Sequence, residues 1–156
     1  MWGRIPRKPW SPNAGIKVLG LPVNYPGSHG FANSTFGTVL KDLAQACTVL
    51  QQLGDTPTEH LLLLYYLDAC RSMHYLRGID CTQLLGQVQQ ASGIIKSTWA
   101  LVLGCPAITD TDWLQSSLSH RLAGLAIKDP TVILPAARMA ASLTYRERVI
   151  ALAMPA

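Results

Sequence analysis

The chain has 156 residues, 49% of them apolar and only 14% charged, with a formal net charge of +4. That composition is too apolar for an intrinsically disordered chain and sparse in charge for a surface solvated on every side. The longest purely apolar run, residues 61–67, is far short of the roughly 18 residues that a bilayer span demands. No continuous apolar stretch follows the basic N-terminus, so neither a membrane span nor a secretory signal is expected, and the four cysteines are read as reduced thiols of an intracellular (nuclear or cytoplasmic) protein.

Residues 1–34 hold Pro6, Pro9, Pro12, Pro22 and Pro26 and five glycines, which excludes a long helix. The charge excess lies here. Arg4, Arg7, Lys8 and Lys17 have no acidic counterpart before Asp42, and the remaining nine basic residues balance the nine acidic ones. A basic arm beside a neutral body suits phosphate neutralisation, though a solvated tail has the same composition. Within it, residues 16–23 read as one short strand or a bent pair of strands. Trp2 and Trp10 each need a surface to cover them.

Helical periodicity follows. Over 34–53 the apolar positions Phe36, Val39, Leu40, Leu43, Cys47, Leu50 and Leu53 draw one stripe, and Gly54 is the stop. Thr56-Pro57-Thr58-Glu59 supplies a cap, a proline in the first turn and a carboxylate three residues past the cap. The helix it starts is expected over 57–77. Its centre is apolar all round, which predicts a place in the middle of the fold. A third helix is expected from near Asp80 or Thr82, with the stripe Leu84, Leu85, Val88, Ala91, Ile95, Trp99 and Val102, ended by Gly104 and Pro106. A short helix after Asp110 carries Trp113, Leu114 and Leu118. Asp129-Pro130 opens the last helix, over about 131–152, with a kink or restart at Pro135. The fold class is therefore mainly α. We expect a bundle of four to five helices after a short β-strand or hairpin and a Pro/Gly-rich segment, with residues 1–34 and 35–156 as the two parts.

Motifs that would carry chemistry are missing. The cysteines are 23, 11 and 24 positions apart and form no Cys-x-x-Cys pair. Cys70 and His74 at i, i+4 make at most two ligands, so no metal and no cofactor is expected. The histidines have no evident Ser or Cys partner, and Gly27-Ser28-His29-Gly30 matches no phosphate loop. Asp110 and Asp112 are the only closely spaced carboxylates; Thr109-Asp110-Thr111-Asp112 reads as a helix start rather than a two-metal hydrolase site. We expect no enzyme activity from this chain and no small-molecule ligand.

The order of the signals is more specific than any one of them. Val18-Leu19-Gly20 lies on the strand, and Leu53-Gly54-Asp55 ends a helix. Leu67-Asp68-Ala69-Cys70-Arg71 and His74-Tyr75-Leu76-Arg77 share the central helix. Trp113 and Leu118 precede Ala123-Gly124-Leu125-Ala126-Ile127-Lys128-Asp129-Pro130, and the alanine-rich run 136–142 comes last. This order resembles the region downstream of the polymerase palm in non-LTR retrotransposon reverse transcriptases. There a primer-grip hairpin leads into a helical thumb and connection, and a Gly-Gly-Leu-Gly-Ile-Arg turn and an alanine-rich helix follow. The resemblance covers residues 16–145. It departs from the family at Leu64, where an arginine is frequent, and at Ala123 and Ala126, where glycines are usual. The aromatic-x-Asp-Asp palm signature is absent.

The resemblance implies a thumb-and-connection fragment that contacts the backbone of an RNA/DNA template–primer duplex without reading its sequence. The catalytic palm would belong to the parent polyprotein, an RNA-directed DNA polymerase. The implied contact residues are Lys17 on the strand, Arg71, His74 and Arg77 on the central helix, and Lys128 after the turn. As cations near a helix C-terminus, Arg71, His74 and Arg77 also suit the helix dipole. The competing reading is a helical protein-interaction module with no nucleic-acid role, motivated by the two N-terminal tryptophans and the charge-poor leucine faces.

Overall fold

The computed structural model describes residues 15–18, 21–24, 30–67, 69–78 and 84–153. The basic, tryptophan-bearing arm, Cys81 and the expected start of the third helix at 80–82 lie outside the described residues.

The segment expected as a strand or pair of strands is a hairpin. Strand β1 (Gly15–Val18) pairs antiparallel with β2 (Leu21–Asn24) in the register Gly15↔Asn24, Ile16↔Val23, Lys17↔Pro22, Val18↔Leu21. Pro22 can sit in β2 because a two-stranded sheet has only edge strands, where a missing N–H costs little. Among the described residues six α-helices follow: α1 (Gly30–Leu50), α2 (Thr56–Leu62), α3 (Ala69–Gly78), α4 (Leu85–Val102), α5 (Asp110–Ser117) and α6 (Pro130–Ala153). A π-helical turn, Leu63–Leu67, follows α2, and a 3₁₀ turn, His120–Leu122, lies between α5 and α6. The fold is mainly α, a helical bundle preceded by a short hairpin.

The stripes on α1 and α4 face each other as their spacing requires. Phe36, Leu40, Leu43, Cys47 and Leu50 of α1 are buried, as are Val88, Ala91, Ile95, Trp99 and Val102 of α4. Both helices belong to one core that also takes in Leu63, Leu67, Leu76, Trp113, Ile127, Leu134 and Ala137. Each Val, Leu, Ile or Phe side chain among them contributes about 1.5–3 kcal/mol on burial. Leu53 and Leu85, expected on these stripes, are exposed because they stand at or beyond the helix ends.

Helix α1 begins four residues earlier than its stripe suggested, at Gly30, and gives way to turns from Gln51. Gly54 and Gly104 both have φ of 67°, the left-handed conformation that stops a helix. At the end of α4, Gly104 N–H donates to Leu101 O and Cys105 N–H to Ala100 O, both at 2.9 Å, which together form a Schellman closure. The cap of α2 lies one residue before the expected Thr56. Asp55 is the N-cap and accepts from the Thr58 hydroxyl, and the Glu59 carboxylate accepts from Gly54 N–H at 2.9 Å.

The central stretch, expected as one helix apolar all round, divides its faces. Leu63, Leu64 and Leu67 are buried, but Leu61, Tyr65 and Tyr66 are exposed. Among the described side chains of α3, Ser72 and Leu76 are buried, whereas His74 and Arg77 are exposed. The partners change along this stretch. Helix α2 packs on α4 and the π turn on α1 and α4, whereas α3 packs on α6 and β2. The wider π turn sits at the junction between the two sets of partners, a place where such turns recur near functional sites.

Candidate nucleic-acid interface

The residues expected to touch a duplex fall into two places. Lys17 lies on β1, exposed and paired across the hairpin with Pro22. The hairpin packs chiefly on α1 and also meets the C-terminal end of α3. Leu21 of β2 packs so closely over Gly78 that a Cβ there would overlap its side chain. Hence β1 with Lys17 and the last turn of α3 with Arg77 belong to one end of the molecule. His74 and Arg77 are both exposed, because Ser72 and Leu76 are the positions that turn inward. The His74 ring meets Tyr75 edge-on, with centroids 5.8 Å apart. Arg71 lies on the same helix; its side chain is outside the described residues.

Lys128 is exposed but separate. It precedes the first turn of α6, whereas Arg77 meets α6 at residues 140–145. At 1.5 Å per residue those positions are about 15 Å or more apart along the helix. The structure therefore brings the hairpin to α3 and leaves Lys128 apart, at the N-terminal end of α6.

The turn before α6 has unusual backbone. Ala123 and Ala126 have φ of 56° and 58°, the left-handed region that disfavours side chains. Between them Gly124 is buried, and a Cβ on it would overlap the carbonyl of Leu118. Hydrogen bonds hold this shape. Ala126 N–H donates to Leu118 O at 2.8 Å, Leu125 and Ile127 N–H both donate to Ser116 O at 3.2 Å, and Gln115 Nε2 donates to Ala123 O at 2.8 Å.

The turn delivers Asp129 to the start of α6. Asp129 Oδ1 accepts from Thr131 N–H at 2.8 Å and from the Thr131 hydroxyl at 2.7 Å, and Oδ2 accepts from the Trp113 indole at 2.7 Å. Burial alone would raise this carboxyl. The hydrogen bonds from Thr131, Trp113 and Ser92 outweigh it and hold the pKa below the ordinary 3.8. Nearby, the Trp99 indole donates to Ser116 Oγ at 3.2 Å, and Ser116 Oγ donates to Asp112 O at 2.8 Å.

Asp110 and Asp112 behave as a helix start. Thr109 is the N-cap of α5; its hydroxyl oxygen accepts from Asp112 N–H at 3.2 Å and its proton goes to Asp112 Oδ2 at 2.7 Å. Asp110 instead pairs with Lys96 at 2.7 Å, and that hydrogen bond and charge lower its pKa. The two carboxylates thus have separate partners. Among the described residues no group of three or more His, Cys, Asp or Glu side chains is placed to hold a metal ion. None of the described helices is long and apolar enough to cross a membrane.

Two surfaces escaped the sequence reading. The first is an open cleft of about 430 Å³ between α3 and α6, lined by Arg77, Ala140, Ala141, Thr144 and Tyr145. Its alanines were legible as an alanine-rich helix, but not which helix they face. The second is an apolar groove of about 570 Å³ beside the end of α1, where Val49, Leu53, Leu62 and Tyr66 line the walls and Asp42 the rim. Leu64, at the position where the resembled family often carries arginine, is buried and presents nothing to either surface.

No family model matches the chain, and no curated protein or solved structure does so either.

Proposed function

We propose that this chain is a thumb-and-connection unit of a non-LTR retrotransposon type of reverse transcriptase, gripping the backbone of a template–primer duplex while the polymerase chemistry belongs to a palm in the parent protein. The observation that carries this reading is the contact of the hairpin with the end of α3. It places the strand bearing Lys17 beside the end of the helix bearing Arg71, His74 and Arg77, the order in which a primer-grip hairpin leads into a thumb. Cations on adjoining elements at one end of a molecule suit a phosphate backbone, which fixes position and conveys no sequence.

The turn at 123–126 lends further support. The two positions where the resembled family carries glycine and this chain carries alanine are, among the described non-glycine residues, the two with left-handed backbone. Glycine adopts that conformation without strain, so a glycine-built turn that has since acquired alanines accounts for it. The backbone shape persists because Gly124 and the surrounding hydrogen bonds define it.

A mobility-shift titration tests the reading. The chain should bind RNA–DNA hybrids of unrelated sequence with equal affinity at low salt. Absence of binding at low salt, or a marked preference for one sequence, contradicts it. The apolar groove beside α1 favours a second reading, a protein-interaction module that self-associates through this face. Light scattering separates the two: a defined oligomer without hybrid affinity supports the second, and a hybrid-binding monomer the first.

A further inference from the structure

We propose that the cleft between α3 and α6 is a site for one unpaired nucleotide, with its phosphate on Arg77 and its base stacked on Tyr145; this rests on the nucleic-acid reading above and adds a ligand to it. The two walls carry complementary groups. Arg77 is exposed at the end of α3 and has no ion-pair partner among the described residues, so its guanidinium is open to bidentate contact with phosphate oxygens. Tyr145, on α6, is 72% exposed, which leaves a large aromatic ring in water. A ring so placed loses little on taking a planar partner and gains a stacking surface.

Between the walls, Ala140 and Ala141 supply a floor of short side chains on which a flat ring can lie. Thr144 adds a hydroxyl; its proton goes to Ala140 O at 2.9 Å, and the oxygen remains able to accept from a base or ribose. Among the described residues no carboxylate lines the cleft, and the nearest one along α6, Glu147, is not among its walls. The volume of about 430 Å³ falls within the range of small-ligand pockets, which begins at roughly 300 Å³. A paired base cannot use this site, because its faces are already stacked within the helix. An unpaired base can, and stacking on an aromatic tolerates any base. The cleft would then hold the nucleotide that leaves the duplex gripped by the hairpin and α3.

Fluorescence anisotropy with two probes tests this: a blunt RNA–DNA hybrid, and the same hybrid with a four-nucleotide single-stranded tail. The expected result is about tenfold tighter binding of the tailed probe, within the range that stacking one base provides. Tyr145→Ala should abolish the preference and leave blunt-hybrid affinity unchanged, and Tyr145→Phe should retain it. Since Tyr145 is exposed, an unchanged circular dichroism spectrum is expected for both variants. Equal affinity for the two probes, or a preference that survives Tyr145→Ala, overturns the nucleotide site and leaves the duplex reading standing. Failure to bind either probe at low salt overturns both.

Discussion

Two ends of the molecule treat their polar groups in opposite ways. Around α5 and the turn into α6, the indoles of Trp99 and Trp113, the hydroxyl of Ser116 and the carboxylate of Asp129 bond to one another or to nearby backbone. Around the hairpin and the end of α3, Lys17 and Arg77 are exposed, as is Tyr145 across the cleft from Arg77. The first end fixes geometry; the second presents charge and aromatic surface. A buried polar network is stabilising only when every member is satisfied, whereas an exposed cation contributes little to folding and is available for binding. Substitutions at the first end should therefore change stability, and substitutions at the second should change affinity.

The largest stability effect is expected at Gly124. A methyl group there meets the Leu118 carbonyl, backbone that has no rotamer to change. Gly124→Ala should destabilise by about 3 kcal/mol, measured by urea unfolding. A loss below about 1 kcal/mol would mean that the turn relaxes easily and does not fix the start of α6.

Asp129 comes next. Asp129→Ala removes the acceptor for Thr131 and leaves the Trp113 indole buried without a partner, so a loss of about 2–3 kcal/mol is expected. The pH dependence follows from the lowered pKa. The folded state holds the proton less readily than the unfolded chain, so this group's contribution is complete above its ordinary carboxyl value and is lost as pH falls through the lower folded value. Thermal melts from pH 6 down to about pH 2 should show an acid destabilisation that is smaller in Asp129→Asn. An identical acid limb in the two proteins would contradict the assignment.

The smallest effect has the opposite sign. Ala126→Gly relieves a left-handed alanine, a strain of roughly 1–2 kcal/mol, and adds chain entropy to the unfolded state. The net expectation is a gain of about 0.5–1 kcal/mol, read as a melting temperature raised by about 2 °C. A lowered melting temperature would argue against the left-handed backbone at this position.

The same contrast governs what the sequence could reveal. The stripes of α1 and α4 were legible because each buries a single face, and the helix starts at Thr109-Asp110-Thr111-Asp112 and Asp129-Pro130 because their side chains bond the backbone locally. The run at 61–67 was not, since a stretch apolar at every position carries no information about its faces. Leu61, Tyr65 and Tyr66 are turned outward by the choice of neighbours, which only the assembled bundle determines. Alanine itself gives no hint of left-handed backbone, so at 123 and 126 only the resemblance, with glycines usual there, pointed to the strain. Lys17, Arg71, His74 and Arg77 were found as cations in a particular order, yet the contact of Leu21 with Gly78 that brings their elements together joins residues 57 positions apart in sequence. Tyr145 was missed because its partner across the cleft, Arg77, lies on another helix.

The salt dependence of hybrid binding tests the central claim most directly. If Lys17, Arg71 and Arg77 each neutralise one phosphate, log K should fall with log salt at a slope of about −2.7, or roughly 40-fold between about 50 and 200 mM. Arg77→Ala should reduce the slope by about 0.9 with the fold unchanged. A hybrid affinity that does not vary with salt, or a slope that Arg77→Ala leaves as it was, would contradict the assignment of this end of the molecule to the duplex backbone.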